Sequence, residues 1–409
     1  MKHSAHLVQS RRGRPGDDPI FALNAEANAR KAKGEDIVNG TLGALLDDEG
    51  RLAVLPSAAR AVRETASDEW APYAPIAGPP AFLSAVIADV VGASKELVPA
   101  AIAVATPGGS GALRHAIATF LEPGQALLTT SFHWGPYGTI AAENERRIST
   151  FRMFDHEGRF DVRALDAKLG ELMEAQGRAL LILNDPCNNP TGYSMSHADW
   201  ARTVEIVERY SAKAPVTVLI DSAYSAFGPE RGIEGPLAAL APVMDRALVT
   251  VAWSASKTFT HYGLRVGALV AFGSSAEDRQ ELLSALAFAC RGTWSNCNRG
   301  GIAAITRLLV DPSLRAAVAA ERDSLLRLLG ERVAAFNTEA SKAGLSYPLY
   351  QGGYFVTVFV DDAEGAAKRM RDEGVYVVPI AGGLRVGLCA LRAADVERTV
   401  GAIVRSTRA

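Results

Sequence analysis

Long apolar runs are missing from this 409-residue chain. No stretch of about 20 apolar residues occurs, so no transmembrane helix is expected. Cysteine is scarce: Cys187, Cys290, Cys297 and Cys389 lie far apart without a C-x-x-C pair. Neither a disulfide framework nor a zinc site is expected from that spacing. The seven histidines include no H-E-x-x-H arrangement, the spacing that would place two metal ligands on one helix face. An excess of one charge is also absent, since 43 Lys and Arg oppose 45 Asp and Glu for a net charge of −2. No overall field draws the chain to nucleic acid or a membrane. The basic run Arg11-Arg12-Gly13-Arg14 is short and reads as part of a flexible arm. Met1 to Ser10 lack an apolar signal core, which makes the reducing cytoplasm the default location. Internal repeats and low-complexity linkers are missing too.

What is present is an ordinary globular composition, 48% hydrophobic and 22% charged. The length predicts two or three domains. Short apolar runs predict buried strands at Ile102–Ala105, Ala126–Thr130, Ala179–Leu183, Val216–Ile220, Leu248–Ala252 and Gly267–Ala271. Apolar spacings of three and four predict helices over Gly111–Leu121 and Ala198–Tyr210. Buried strands alternating with helices point to an α/β fold with a mostly parallel central sheet. After Asp311-Pro312 the pattern changes. A long helix is predicted over Ser313–Ala343, then strands within Gly353–Val360, Val375–Pro379 and Leu384–Cys389. Helices are predicted at Ala363–Glu373 and Ala393–Arg405. That is a smaller α+β domain, entered at the proline.

The chemistry concentrates at the predicted strand ends. Lys257, in Trp253-Ser-Ala-Ser-Lys257, follows a buried strand. Burial disfavours its ammonium form, and a neutral amine is what imine formation requires. Arg265 lies eight residues on and suits a phosphate as a bidentate fork. Gly109 and Ser110, in Thr106-Pro-Gly-Gly-Ser-Gly111, follow another strand and open a helix, a place where backbone N–H groups meet anions; a plain βα turn would need only one glycine. Asp221 ends the run Val216–Ile220, and a buried acid demands a partner such as a pyridinium nitrogen. Asn189, in Asn184-Asp-Pro-Cys-Asn-Asn189-Pro-Thr-Gly192, is placed to donate to a phenolate oxygen, or else forms an Asn-Pro turn. Trp134 offers a flat ring for stacking. In an open α/β sheet the ligand crevice lies at the carboxyl ends of the strands, where all of these residues fall.

Asn189-Pro-Thr-Gly192, Asp221-x-Ala-Tyr224 and Ser254-x-Ser-Lys257 followed by Arg265-x-Gly267 together resemble the motifs of the fold-type-I pyridoxal-phosphate (PLP) aminotransferases. Within them the chain is most similar to the aspartate and aromatic branch. The resemblance runs from about Asp18 to the C-terminus. It implies a large PLP-binding domain over residues 47–312, a small α+β domain from 18–46 and 313–409, and an N-terminal arm over 1–17. It further implies that Lys257 carries the cofactor as a Schiff base and moves the substrate proton. By the same resemblance Asp221 holds the ring nitrogen, and Asn189 and Tyr224 hydrogen-bond the 3′ oxygen. Gly109, Ser110, Ser254 and Arg265 hold the phosphate, and Trp134 stacks on the ring with Phe132 as its competitor.

Substrate contacts are implied for Asn189, for Arg385 on the α-carboxylate and for Gly43 in a closing loop. Arg291, in Cys290-Arg-Gly-Thr-Trp-Ser295, stands where the branch pairs an arginine with a distal carboxylate, or else it is an interface element. Tyr73 matches a tyrosine that crosses to the phosphate of a partner subunit, which implies a homodimer with shared active sites. The implied reaction is ping-pong transfer of an amino group from an L-amino acid, of aspartate or aromatic type, to a 2-oxo acid. Other PLP enzymes of this fold, such as C–S lyases or β-decarboxylases, would share the Lys257 chemistry. DNA-binding regulators built on this fold are not expected, because about 17 residues precede Asp18. One departure stands out. Aspartate enzymes have a W-P-N-H run where this chain has Trp134-Gly-Pro-Tyr137 preceded by His133, so the histidine that supports the aspartate is missing or replaced.

Overall fold

A computed structural model describes residues 6–14, 16 and 18–408. Its strands, in chain order, are β1 (Val38–Asn39), β2 (Ala101–Pro107), β3 (Ala126–Thr130), β4 (Arg147–Phe151), β5 (Ala179–Asn184) and β6 (Val216–Asp221). There follow β7 (Leu248–Ser254), β8 (Val266–Phe272), β9 (Val356–Phe359), β10 (Val375–Tyr376), β11 (Val378–Ile380) and β12 (Gly383–Val386). Seven of them form one sheet in the order β2-β8-β7-β6-β5-β3-β4. All pairings in it are parallel except those of β8, which runs against both β2 and β7.

The central strands are buried nearly along their whole length and mostly apolar, because both faces are covered. Along β6, Val218 and Ile220 join the core on one face while Leu219 joins the core on the other. One face carries Leu165 and Leu169, together with Trp200, Ile206 and Val207 of the His197–Ser211 helix. The other packs on Leu113, Ala116 and Ile117 of the Gly108–Phe120 helix and on Leu286. The result is a three-layer α/β/α unit. Each large side chain sealed between layers contributes about 1.5–3 kcal/mol relative to leaving it in water.

A second core forms around an antiparallel sheet of order β11-β12-β9 and the short parallel pair β1-β10. The Pro312–Lys342 helix joins the two. Its first turns bury Leu314 and Val318 in the large core, and its later turns bury Leu329, Val333 and Phe336 in the second. Arg332, fully buried on that helix, donates to the carbonyls of Leu46 and Cys389 at 2.8 and 2.9 Å and pairs with Asp48 at 2.9 Å. It thereby ties the N-terminal segment to the C-terminal one.

The structure adds elements that the apolar runs do not announce. Strand β4 has a mixed exposed and half-buried surface at the sheet edge, so it lacks a run of buried residues. The Val375–Pro379 stretch is two strands rather than one, because β10 pairs with β1 while β11 turns to pair with β12. The Leu384–Cys389 stretch is strand only to Val386 and then a 3-10 turn. The basic run near the N-terminus is not a free arm where it is described: Arg11 pairs with Glu143 at 2.6 Å, and Arg14 pairs with the same carboxylate. Met1–Ala5, Pro15 and Asp17 of the expected arm lie outside the described residues. All four cysteines are buried and unpaired with one another. Among the described residues no helix is long and apolar enough to cross a membrane.

Candidate active site

The carboxyl ends of β2, β3, β5, β6 and β7 converge on one edge of the large sheet. Because β8 is antiparallel, its N-terminal end reaches the same edge, and this is where Arg265 enters. The residues there line one narrow cleft. Gly109, Ser110, Trp134, Asn189, Asp221, Tyr224, Ser254, Lys257 and Arg265, each singled out by the sequence, all line it.

Around Arg265 the backbone is drawn close. Arg265 takes a left-handed backbone turn, φ +53°, immediately before β8. Its guanidinium donates to the Ser256 hydroxyl at 3.2 Å and to the Tyr262 carbonyl at 3.0 Å. Close approach of the backbone is enforced by two glycines. A Cβ on Gly108 would lie 2.6 Å from Arg265 Nη2, and one on Gly267 would lie 2.4 Å from the Gly108 carbonyl carbon. Ser254 accepts from the Ser256 amide at 3.3 Å, which opens the turn carrying Lys257.

Lys257 lines the same cleft, its Nζ 5.4 Å from the centre of the Tyr224 ring. Burial, helped by Arg265, lowers its pKa from the usual lysine value, while Asp221 opposes the shift. The amine is therefore easier to deprotonate than an exposed one. Tyr224 is buried, and its hydroxyl accepts from Asn189 Nδ2 at 3.4 Å. The Asn189 amide in turn donates to Asn184 Oδ1 at 2.7 Å, while Asn184 Nδ2 donates to the Asp221 carbonyl at 2.8 Å. That chain of bonds fixes the Asn-Pro loop to the end of β6.

Asp221 is a buried carboxyl in the lining of the cleft. Burial raises its pKa, opposed by hydrogen bonds from Tyr137 and the Ala223 amide and by the charge of Lys257. The Tyr137 hydroxyl donates to Asp221 Oδ2 at 2.6 Å. Tyr137, fully buried, thus stands where the sequence resemblance called for a histidine. Trp134 meets Tyr137 edge to face and lines both the inner cleft and a wider outer cavity. Phe132 lines only the outer cavity and packs against Phe154 and Phe359.

The outer cavity lies between the two cores, bounded by Ile20, Phe132, Trp134, Asn189, Ile380 and Arg385. Arg385 is 6% exposed. Its Nη2 donates to the Thr41 carbonyl at 2.6 Å and its guanidinium sits 4.5 Å over the Phe355 ring. Its buried Nε has no partner. A buried guanidinium with an unused N–H is costly unless an anion completes it.

Three sequence-derived candidates do not enter the cleft of their own chain. Gly43 lies against Phe355, whose Cζ would be 2.7 Å from an added Cβ; its neighbour Thr41 supplies the carbonyl that holds Arg385. Tyr73 is 88% exposed, with its carbonyl bound by Arg299. Arg291 lies at the exposed end of the Ala276–Thr293 helix and donates to Ser295 Oγ at 2.6 Å.

The family profile described as aminotransferase class I and II matches residues 35–403. The chain belongs to that family. An aromatic-amino-acid aminotransferase of Pseudomonas aeruginosa is 31% identical over 324 residues, 77% of this chain and 76% of that protein. An aspartate aminotransferase of the same organism is 29% identical, covering 95% of this chain and 96% of its own. An aminotransferase structure from Anaerococcus prevotii superposes with a TM-score of 0.92 at 29% identity, covering 99% of this chain and all of that one. An aromatic-amino-acid aminotransferase structure from Burkholderia pseudomallei, covalently bound to pyridoxal phosphate, has a TM-score of 0.82 at 24% identity, covering 98% and 100%. The fold is therefore that of the aspartate aminotransferases.

Two contributors to this aminotransferase's cleft had no assigned role in the sequence reading. Ser256 is visible in the Ser-x-Ser-Lys motif, yet its value as a partner of Arg265 emerges only when β8 turns back. Tyr137 was readable in outline, being three residues after Trp134 like the expected histidine.

Proposed function

We propose that this aminotransferase carries pyridoxal phosphate on Lys257 and moves the amino group of an L-amino acid to a 2-oxo acid in two alternating half-reactions. The observation that carries the reading is the set of groups lining one cleft: the Arg265–Ser256 pair, the Lys257 amine, which feels the charges of both Asp221 and Arg265, and the buried Asp221 carboxylate. Their chemistry fits a phosphate, an aldehyde carbon and a pyridine nitrogen respectively. Bound there, the cofactor supplies an electron sink for charge developing at the substrate Cα.

The chain's own residues do the rest. Gly109, Ser110, Ser254 and Arg265 hold the phosphate through backbone and side-chain donors. Asp221 keeps the ring nitrogen protonated, and Asn189 and Tyr224 donate to the ring oxygen. Lys257 Nζ, with its lowered pKa, takes the Cα proton and returns it. Arg385, which lines the outer cavity, receives the substrate α-carboxylate, which orients the Cα–H bond and lowers the entropic part of the barrier. Closure of a small domain (18–46 and 313–409) on a large one (47–312), with Gly43 in the moving loop, excludes water.

We further infer a cytoplasmic homodimer. Tyr73 at 88%, Phe288 at 82% and Trp70 at 55% exposed are large hydrophobic side chains left in solvent. A second copy would cover them and bring Tyr73 and Arg291 to the neighbouring cleft. The apolar wall of the outer cavity favours an aromatic or aliphatic side chain, with dicarboxylates served through the partner's Arg291.

Lys257→Ala tests the central claim. The wild-type protein converts bound cofactor from its aldehyde to its amine form when given phenylalanine or aspartate without acceptor. The variant makes no such conversion and has no measurable turnover. Full activity in the variant would sink the assignment, and absence of cofactor conversion in the wild type would favour a lyase or decarboxylase instead.

A further inference from the structure

Asp221 is 5% exposed at the last position of β6. Burial pushes such a carboxyl toward its neutral form, and a neutral acid could not hold a protonated ring nitrogen. Something must keep it ionised. The Ala223 amide donates to Oδ1 at 3.2 Å, a long bond. The Tyr137 hydroxyl donates to Oδ2 at 2.6 Å, the short length typical of an O–H···O⁻ bond.

Tyr137 is built for that contact. It lies in the Pro136–Glu143 helix and is fully buried. Its ring is wedged edge-on against Trp134, centroids 5.7 Å apart, and lies parallel to His133 at 6.2 Å. Burial and the Asp221 charge hold its phenol far above the usual value of 10, so it stays a neutral donor throughout the working range. The other titratable groups around the pair are His133, Tyr224 and Lys257. His133 is turned to the Thr130 carbonyl at 2.9 Å and its pKa is lowered by burial.

We propose that Tyr137 is the positioning residue of this enzyme's cofactor site, keeping Asp221 ionised and aimed at the ring nitrogen with a donor that carries no charge and does not titrate. An imidazole in its place would add a cation behind the carboxylate below about pH 6.5. The phenol leaves the pair at one negative charge across the neutral range. The inference rests on the PLP reading of the cleft.

The experiment uses the full-length protein and two variants. Tyr137→Phe keeps every ring carbon and removes only the hydroxyl. Tyr137→His restores a donor, but one that titrates. Pyridoxal phosphate is titrated into each apoprotein, and the absorbance of the bound cofactor is followed with pH. Tyr137→Phe is expected to bind the cofactor about 10- to 100-fold more weakly, the loss of one hydrogen bond to a charged group. The imine pKa is also expected to rise, because a less firmly protonated ring repels the imine proton less. Tyr137→His is expected to recover affinity and to show an added pH dependence of binding between 5 and 8. Wild-type affinity and an unmoved imine pKa in Tyr137→Phe would reduce Tyr137 to packing and overturn the proposal. A wild-type protein that forms no Lys257-dependent cofactor absorbance would overturn the cleft assignment itself, and this inference with it.

Discussion

The hydroxyl of Thr357 donates to the carbonyl of Pro190 across 2.9 Å. Thr357 lies opposite Arg385 in the β9–β12 pairing, and Pro190 follows Asn189. A single bond therefore joins β9, the strand paired with the one bearing the proposed carboxylate arginine, to the loop bearing the proposed ring-oxygen donor. Thr357→Val keeps the shape and removes the donor, leaving a buried carbonyl unsatisfied. It is expected to cost about 1–3 kcal/mol of stability in urea unfolding. It should also raise KM for the amino donor more than it lowers kcat, because the two loops lose their common reference. An unchanged KM would mean that the bond serves the fold alone.

Arg385 and Arg291 are expected to separate by substrate. Arg385→Gln removes the group proposed for the α-carboxylate that every donor shares, so kcat/KM falls for aspartate and phenylalanine alike. The loss should be at least about 100-fold, the cost of leaving a charged partner unpaired. Cofactor affinity should be unmoved. Arg291→Ala should damage aspartate far more than phenylalanine if it reaches a distal carboxylate in the neighbouring subunit. Equal losses would assign Arg291 to the interface.

His115 gives the stability a pH dependence. It is fully buried on the Gly108–Phe120 helix, with Nε2 3.3 Å from Cys290 Sγ, and burial pushes its pKa down to about 4. The unfolded chain, with an ordinary histidine near 6.5, binds the proton more readily than the native one. Stability from this group is thus complete above pH 6.5 and is lost as pH falls toward 4. The loss is roughly 3 kcal/mol at most. Urea unfolding from pH 4 to 7.5 should show this slope, and His115→Gln should flatten it.

Sequence alone carried the large sheet well, because strands buried on both faces are apolar throughout. Val216–Ile220 and Ala179–Leu183 each fall one residue short of the observed strands, the missing residues being the polar Asp221 and Asn184 that turn toward the cleft. Strand β4 escaped notice because exposed and half-buried residues mix on both of its faces. The cleft residues were legible where they sit in short motifs. Contacts spanning long separations were not: the spacing of Tyr137 from Trp134 marked its place, but not its bond to a carboxylate 84 positions away. The orphan Nε of Arg385 likewise depends on how Thr41 and Phe355 happen to surround it.

The reversal of β8 has one more consequence. Lys257 leaves β7 and Arg265 enters β8, and these two strands are neighbours in the same sheet. A molecule moored at both is anchored to a single rigid hairpin. Arg385, by contrast, arrives from the other core, on the far side of the outer cavity. On the proposed closure, the two cores part to exchange one amino acid for the next while the mooring stays intact. Residence of the cofactor and residence of the substrate then become separate rates, set by different halves of the molecule.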